Sequence, residues 1–126
     1  YYQSARFHFD LARQLKPLRE KGVLIIGSGA VVHNLRAAAP KMFGGDHTLY
    51  GWEEEFDSWV KKKLDEGDIR SLIDYEKSPL GLMAAPTPDH YVPMLYSLGV
   101  MEKDEQIEHT FEELLPAFSN RGFLIH

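Results

Sequence analysis

Cysteine is absent from this chain, which excludes disulfides, thiolate metal sites and a thiol nucleophile. Any metal would have to be held by His, Asp or Glu, a donor set that points away from soft-metal chemistry. A surplus of positive charge is also missing: 14 Lys and Arg against 19 Asp and Glu leave a net charge of −5. That balance gives no electrostatic reason to expect nucleic acid or an anionic membrane surface as partner. Apolar runs are short, none nears the length of a membrane span, and no signal-peptide pattern opens the chain, so the expected address is cytoplasmic. What is present is an ordinary globular composition, 44% hydrophobic and 26% charged over 126 residues. That is enough chain for a single domain, residues 1–126, with one core. The opening Tyr1-Tyr2-Gln3-Ser4 has no methionine and leads at once into a helical pattern, as expected of a piece of a longer polypeptide.

Periodicity orders the rest. Phe7, Leu11, Leu15 and Leu18 recur at helical spacing over residues 4–20, with Ser4 as N-cap and Lys21-Gly22 as the stop. Residues 23–26, Val-Leu-Ile-Ile, form a short β-branched run bounded by glycine and read as a strand buried on both faces. Residues 36–50, with Pro40 and Gly44-Gly45, read as a long loop. Trp52, Phe56, Trp59, Val60 and Leu64 mark an amphipathic helix closed by Gly67, its aromatics a core stripe and Lys61 to Lys63 a solvated face. Asp68 caps a shorter helix stopped at Ser78-Pro79, and Thr87-Pro88 reads as the start of one ended by Gly99. Strands are expected at 107–111 and 122–125. Helix, buried strand and glycine turn are the grammar of an α/β layer fold, with helices packed on a central mixed sheet.

Two of the six histidines stand in patterned contexts. His33 follows the strand and the Gly27-Ser28-Gly29 turn, just beyond a strand's carboxyl end, where α/β sheets place ligands. Gly27-Ser28-Gly29 lacks the third glycine of a dinucleotide fingerprint, and its spacing does not fit a nucleophile elbow. The glycines read as a sharp turn off the sheet. His33 is then either a core imidazole bonded to a backbone carbonyl or a group exchanging a proton near neutral pH. His90, in Pro86-Thr-Pro-Asp-His90-Tyr91, falls near the third position of the helix expected from Thr87. There the helix dipole disfavours imidazolium and leaves the neutral, metal-binding form. A polar residue of the capping region is the equal alternative. His8 reads as packed or half exposed, His47 as a loop residue beside Asp46, and His109 and His126 have no supporting context.

The segments Gly27-Ser-Gly-Ala-Val-Val-His33-Asn34-Leu35 and Pro86-Thr-Pro-Asp-His90-Tyr91-Val-Pro93-Met-Leu-Tyr96-Ser-Leu-Gly99 together resemble the carboxyl-terminal half of the LigB-type (class III) extradiol ring-opening dioxygenases, in the DOPA-dioxygenase branch. The opening helix and the Trp52-to-Val60 helix share the resemblance. It implies a mononuclear non-haem Fe(II), with zinc sometimes in its place, that takes a catechol and O2 as partners. It makes His90 a metal ligand and His33 the acid/base group, with Asn34, His47 and Tyr91 as candidate substrate contacts. The family's two further ligand histidines, in His-Gly-Ser-Pro-type and Ser-Ala-His-Trp-type motifs, have no counterpart here. The expectation is therefore the carboxyl-terminal portion of an extradiol catechol dioxygenase, an incomplete half of a larger α/β domain that is inactive alone. Strand edges left open would make it prone to homo-oligomerise. The competing expectation is a non-catalytic small-molecule-binding or interaction domain that keeps the fold.

Overall fold

The computed structural model describes residues 3–126; the methionine-less opening at Tyr1 and Tyr2 lies outside them. Ser4 caps the first helix, α1 (Ala5–Arg13), its hydroxyl accepting from the Phe7 amide. Pro17 cannot donate within an α-helix, and the chain tightens into a 3-10 segment, Lys16–Lys21, before Gly22 leaves it in the left-handed conformation. The single helix expected over 4–20 is thus two pieces.

Residues 23–31 then run extended, in no ladder with any of the described residues. The buried strand expected at 23–26 does not form: Leu24 is 77% and Ile26 78% exposed. A strand needs a ladder, and the backbone here meets none between the Val23 amide, bonded to Leu18, and the Ala30 amide, bonded to His90. Pairing begins only at β1 (Val32–His33). The expected loop at 36–50 is instead largely helical, as α2 (Leu35–Gly44), capped by Asn34 and ended by Gly45 at φ +68°. Pro40 inside α2 removes one internal hydrogen bond without ending it.

The long amphipathic helix forms as α3 (Trp52–Asp65), with Phe56, Val60 and Leu64 buried and Trp52 and Trp59 packed against them. Asp68 caps α4 (Ile69–Ile73), Ser78 caps α5 (Pro79–Ala84), and α6 (Val92–Gly99) follows. Gly99 lets α6 lie close against α1, since a Cβ there would stand 2.5 Å from that of Ala12. The carboxyl-terminal hairpin, β2 (Ile107–Leu115) and β3 (Phe118–Ile125), is longer than the pattern at 107–111 and 122–125 implies.

The class is α/β, and its sheet is antiparallel throughout, in the order β1-β3-β2. One core gathers Val32 of β1, Phe56 and Val60 of α3, Leu72 of α4, and Tyr91 and Leu95 at α6. A buried ion pair, Arg121 on β3 with Asp57 on α3, joins hairpin to helix, with Ser119 donating to the same carboxylate. No helix of the described residues is long and apolar enough to cross a membrane.

Candidate active site

His33 stands where sheet becomes helix. Val32 and His33 pair with Ser119 and Phe118 of β3. The next residue, Asn34, accepts from the Ala37 amide at 3.1 Å while its Nδ2 donates to the Met83 carbonyl at 2.7 Å. Held on both sides, His33 is 2% exposed. Its Nε2 lies 2.8 Å from the Thr87 carbonyl and 3.3 Å from Thr87 Oγ1, and Nδ1 lies 3.3 Å from the Ala30 carbonyl. A carbonyl oxygen only accepts, so the shorter contact assigns the hydrogen of the neutral ring to Nε2. Burial holds the His33 pKa below its ordinary value against the pull of the Thr87 carbonyl. The neighbouring His90 pushes it the same way as burial.

His90 lies in the turn that precedes α6, not in the first turn of that helix. Both the Tyr91 and Val92 amides donate to the Pro88 carbonyl, at 3.1 and 2.8 Å, and the helical ladder starts only at Val92. Thr87 is therefore not its N-cap, and the dipole argument for a neutral His90 lapses. The side chain is 47% exposed, with Nε2 3.4 Å from Asp89 Oδ2. Its ring centroid is 5.0 Å from that of His33. The Thr87 hydroxyl, foremost, holds the Asp89 carboxyl below the usual carboxylate range, and Asp89 Oδ1 is buried with no hydrogen-bond partner among the described residues.

The glycines of the Gly27-Ser28-Gly29 turn serve close approach. A Cβ at Gly29 would sit 2.1 Å from the His90 carbonyl oxygen and one at Gly27 2.3 Å from that of Pro93, distances no side chain tolerates. The extended segment thereby lies against the His90 turn and flanks a groove of about 290 Å³ lined by Ile26, Gly29, His90, Met94, Ser97 and Phe123. A larger cavity, about 740 Å³ among Phe9, Leu64, Met101 and Ile107, contains neither imidazole. Of the two, only the smaller groove is lined by one of the paired imidazoles, that of His90.

The structure separates the other candidates. Tyr91 is fully buried, stacked on Tyr75 at 4.0 Å with its hydroxyl donating to the Leu72 carbonyl, so it supports the His90 turn from beneath. Burial raises its pKa well above the ordinary value. Asn34 is occupied by its cap and its bond to Met83. His47 is exposed in the loop after α2, and no hydrogen bond among the described residues ties it to either imidazole. Beside it, Asp46 is brought to about 2 by the Thr48 hydroxyl and amide, with Lys41 3.3 Å away. Away from the site, His8 is half buried with Nδ1 3.0 Å from the Tyr96 hydroxyl, and His109 pairs with Asp65 at 2.8 Å.

A mononuclear iron or zinc centre needs about three protein donors on one face. No group of three His, Cys, Asp or Glu able to hold a metal occurs among the described residues. His33 has both ring nitrogens turned to backbone carbonyls, which leaves His90 and the adjacent Asp89 carboxylate. The residues present therefore do not by themselves fit such a centre. Sequence reasoning missed Thr87 and Asp89 as part of this cluster. Thr-Pro-Asp reads locally as a helix start, and only the fold brings its carbonyl to an imidazole 54 residues away.

A model of the family described as the catalytic LigB subunit of aromatic ring-opening dioxygenase matches residues 2–123. The 4,5-DOPA dioxygenase extradiol of Escherichia coli (strain K12) is 38% identical over 106 residues, 82% of this chain and 38% of that protein. The protein of the same name from Portulaca grandiflora is 36% identical over 113 residues, 86% of this chain and 40% of its own length. A crystal structure of an uncharacterized protein from Escherichia coli K12 superimposes with a TM-score of 0.84 at 33% identity, over 96% of this chain and 50% of that one. The chain spans about two fifths of the length of the curated relatives it matches.

Proposed function

Because the chain belongs to the family of the catalytic LigB subunit of aromatic ring-opening dioxygenases, we propose that it forms part of an extradiol catechol dioxygenase. In the reaction, O2 adds across the ring carbon–carbon bond beside the two hydroxyls. Both oxygen atoms enter a muconic semialdehyde-type product. The observation that carries the reading is the pair of imidazoles 5.0 Å apart, one buried and one half exposed beside a groove.

Their environments suit different tasks. With Nε2–H committed to the Thr87 carbonyl, the basic position of His33 is Nδ1. A pKa lowered by burial keeps that nitrogen unprotonated at neutral pH, and its 3.3 Å contact with the Ala30 carbonyl must open before it takes a proton from a catechol hydroxyl. The Ala30 carbonyl, 3.3 Å away, would then accept from the new Nδ1–H. His90 would serve as one ligand of Fe(II), or of zinc in its place, and such a centre would need further donors that the described residues do not supply. The apolar lining of the groove, Ile26, Met94 and Phe123, suits an aromatic ring. On its donor count the 126-residue chain alone is expected to be inactive. The same deficit favours the second reading, a binding module that keeps the fold without turnover.

A chimera tests both. The matching 106-residue stretch of the Escherichia coli relative is replaced by this chain, loaded anaerobically with Fe(II), and followed for oxygen uptake with DOPA and other catechols. Uptake with a yellow product, abolished by His33→Ala and by His90→Ala, is expected. A folded chimera that binds catechol and consumes no oxygen would favour the binding module.

A further inference from the structure

The turn that carries His90 is fastened to the rest of the protein at two backbone carbonyls that bracket it. The Thr87 carbonyl accepts from His33 Nε2 at 2.8 Å, and the His90 carbonyl accepts from the Ala30 amide at 2.9 Å. Neither bond belongs to a helix or a sheet ladder. Both donors come from one short stretch, residues 30–33, whose far end is anchored by the pairing of β1 with β3. Close approach is possible only because Gly29 lacks a Cβ, which would otherwise stand 2.1 Å from the very oxygen that Ala30 bonds. An alanine there must push the turn away, since the obstacle is backbone and cannot rotate aside.

We propose that Gly29, Ala30 and His33 form a positioning clamp for His90, in which the His33 Nε2–H is a structural tie as well as part of the imidazole pair. This rests on the reading of His90 as a ligand-bearing residue and goes beyond it. The buried imidazole orients the exposed one through the backbone of Thr87, without a direct bond between the rings. One chain segment thus sets both the 5.0 Å spacing and the ring presented to the groove. Gly29 and Ala30 line the groove without a polar side chain to offer a ligand. Their part is to fix where His90 stands.

Amide hydrogen exchange of Ala30 reads the clamp directly on this chain, with no metal, substrate or turnover. Gly29→Ala and His33→Ala should each raise the Ala30 exchange rate by about tenfold or more, as loss of one hydrogen-bonded contact allows. The β2–β3 hairpin amides should stay as protected as before. Ser28→Ala, at an exposed neighbour, should change nothing. His33→Gln supplies the discriminating case, because its side-chain amide can still donate to the Thr87 carbonyl while losing imidazole proton chemistry. Ala30 protection and the His90 Cε1–H resonance should therefore be kept in His33→Gln and lost in His33→Ala. An unprotected Ala30 in the unaltered chain, continued protection in Gly29→Ala, or a glutamine variant that exchanges as fast as the alanine one would each overturn the clamp. If either alanine variant also releases the hairpin, the glutamine variant decides. A protected Ala30 alongside a chimera that consumes no oxygen would sink the ring-opening reading and leave the clamp standing.

Discussion

Burial sorts the side chains around the imidazole pair into those that can meet a ligand and those that hold the frame. Tyr91 falls in the second group although it adjoins His90. Its ring stacks on Tyr75 and its hydroxyl donates to the Leu72 carbonyl at 3.0 Å, a bond that ties the turn to α4. Tyr91→Phe would keep the packing and strand a buried carbonyl, at a cost of about 1–2 kcal/mol. Urea unfolding should register that loss while the His90 imidazole resonances stay in place. A moved His90 resonance with unchanged stability would return Tyr91 to the candidate ligand contacts. His33 and His90 stood out by their local patterns, a glycine turn after an apolar run and Thr-Pro before a helical period, yet neither pattern folds as it reads: residues 23–26 form no strand and Thr87 caps no helix. What surrounds them was not legible. Thr87, Asp89 and Gly29 act through backbone atoms or through partners distant in sequence, and a residue's own type carries little information about either.

Elements divide along the same line. Helices α1 and α4 were readable from their caps, Ser4 and Asp68, and α3, which starts after Gly51 with no side-chain cap, from its apolar stripe, because capping and periodicity are local properties. In α1 the buried face is Ala5 and Ala12, with Phe7 and Leu11 exposed. Helix α2 was missed because Pro40 and Gly44-Gly45 resemble loop punctuation. Asn34 followed by three alanines was the signal available, an N-cap before good helix formers. The 3-10 segment after α1 owes its place to a contact no local pattern shows: Arg19 pairs bidentately with Glu105 and donates to the Val100 carbonyl at 2.8 Å. That pairing, foremost the bond from Arg19, brings Glu105 from an ordinary 4.5 to about 2. A carboxyl depressed in the folded state contributes stability fully above its unfolded pKa and loses it as pH falls towards the folded one. Between about pH 4.5 and 2 the tie should therefore weaken, by about 1 kcal/mol for a partly exposed pair. Chemical denaturation at stepped pH should show this slope in the unaltered protein and a flatter one in Glu105→Gln. Equal slopes would mean that the pair contributes nothing.

For the molecule as a whole, the α/β class was legible from the order of its elements and the sheet's pairing was not. The run at 23–26 has the composition of a buried strand, and composition is all that a sequence shows of it. Whether it pairs depends on a neighbouring edge, which the described residues do not supply. Its open backbone and exposed Leu24 and Ile26 form the kind of edge that recruits another strand. In a purified solution the available edge is that of another copy. Light scattering should show association that grows with concentration and falls in Ile26→Lys, and a monomer at every concentration would refute it. The same geometry bears on chemical durability. Proteases grip a substrate as an extended strand, and most folded proteins deny them that shape. Here it is displayed ready-made at large aliphatic residues, between two parts that would remain in contact after cleavage, since Gly99 seats α6 against α1. The first cut in this protein should fall there, and the nicked molecule should hold together.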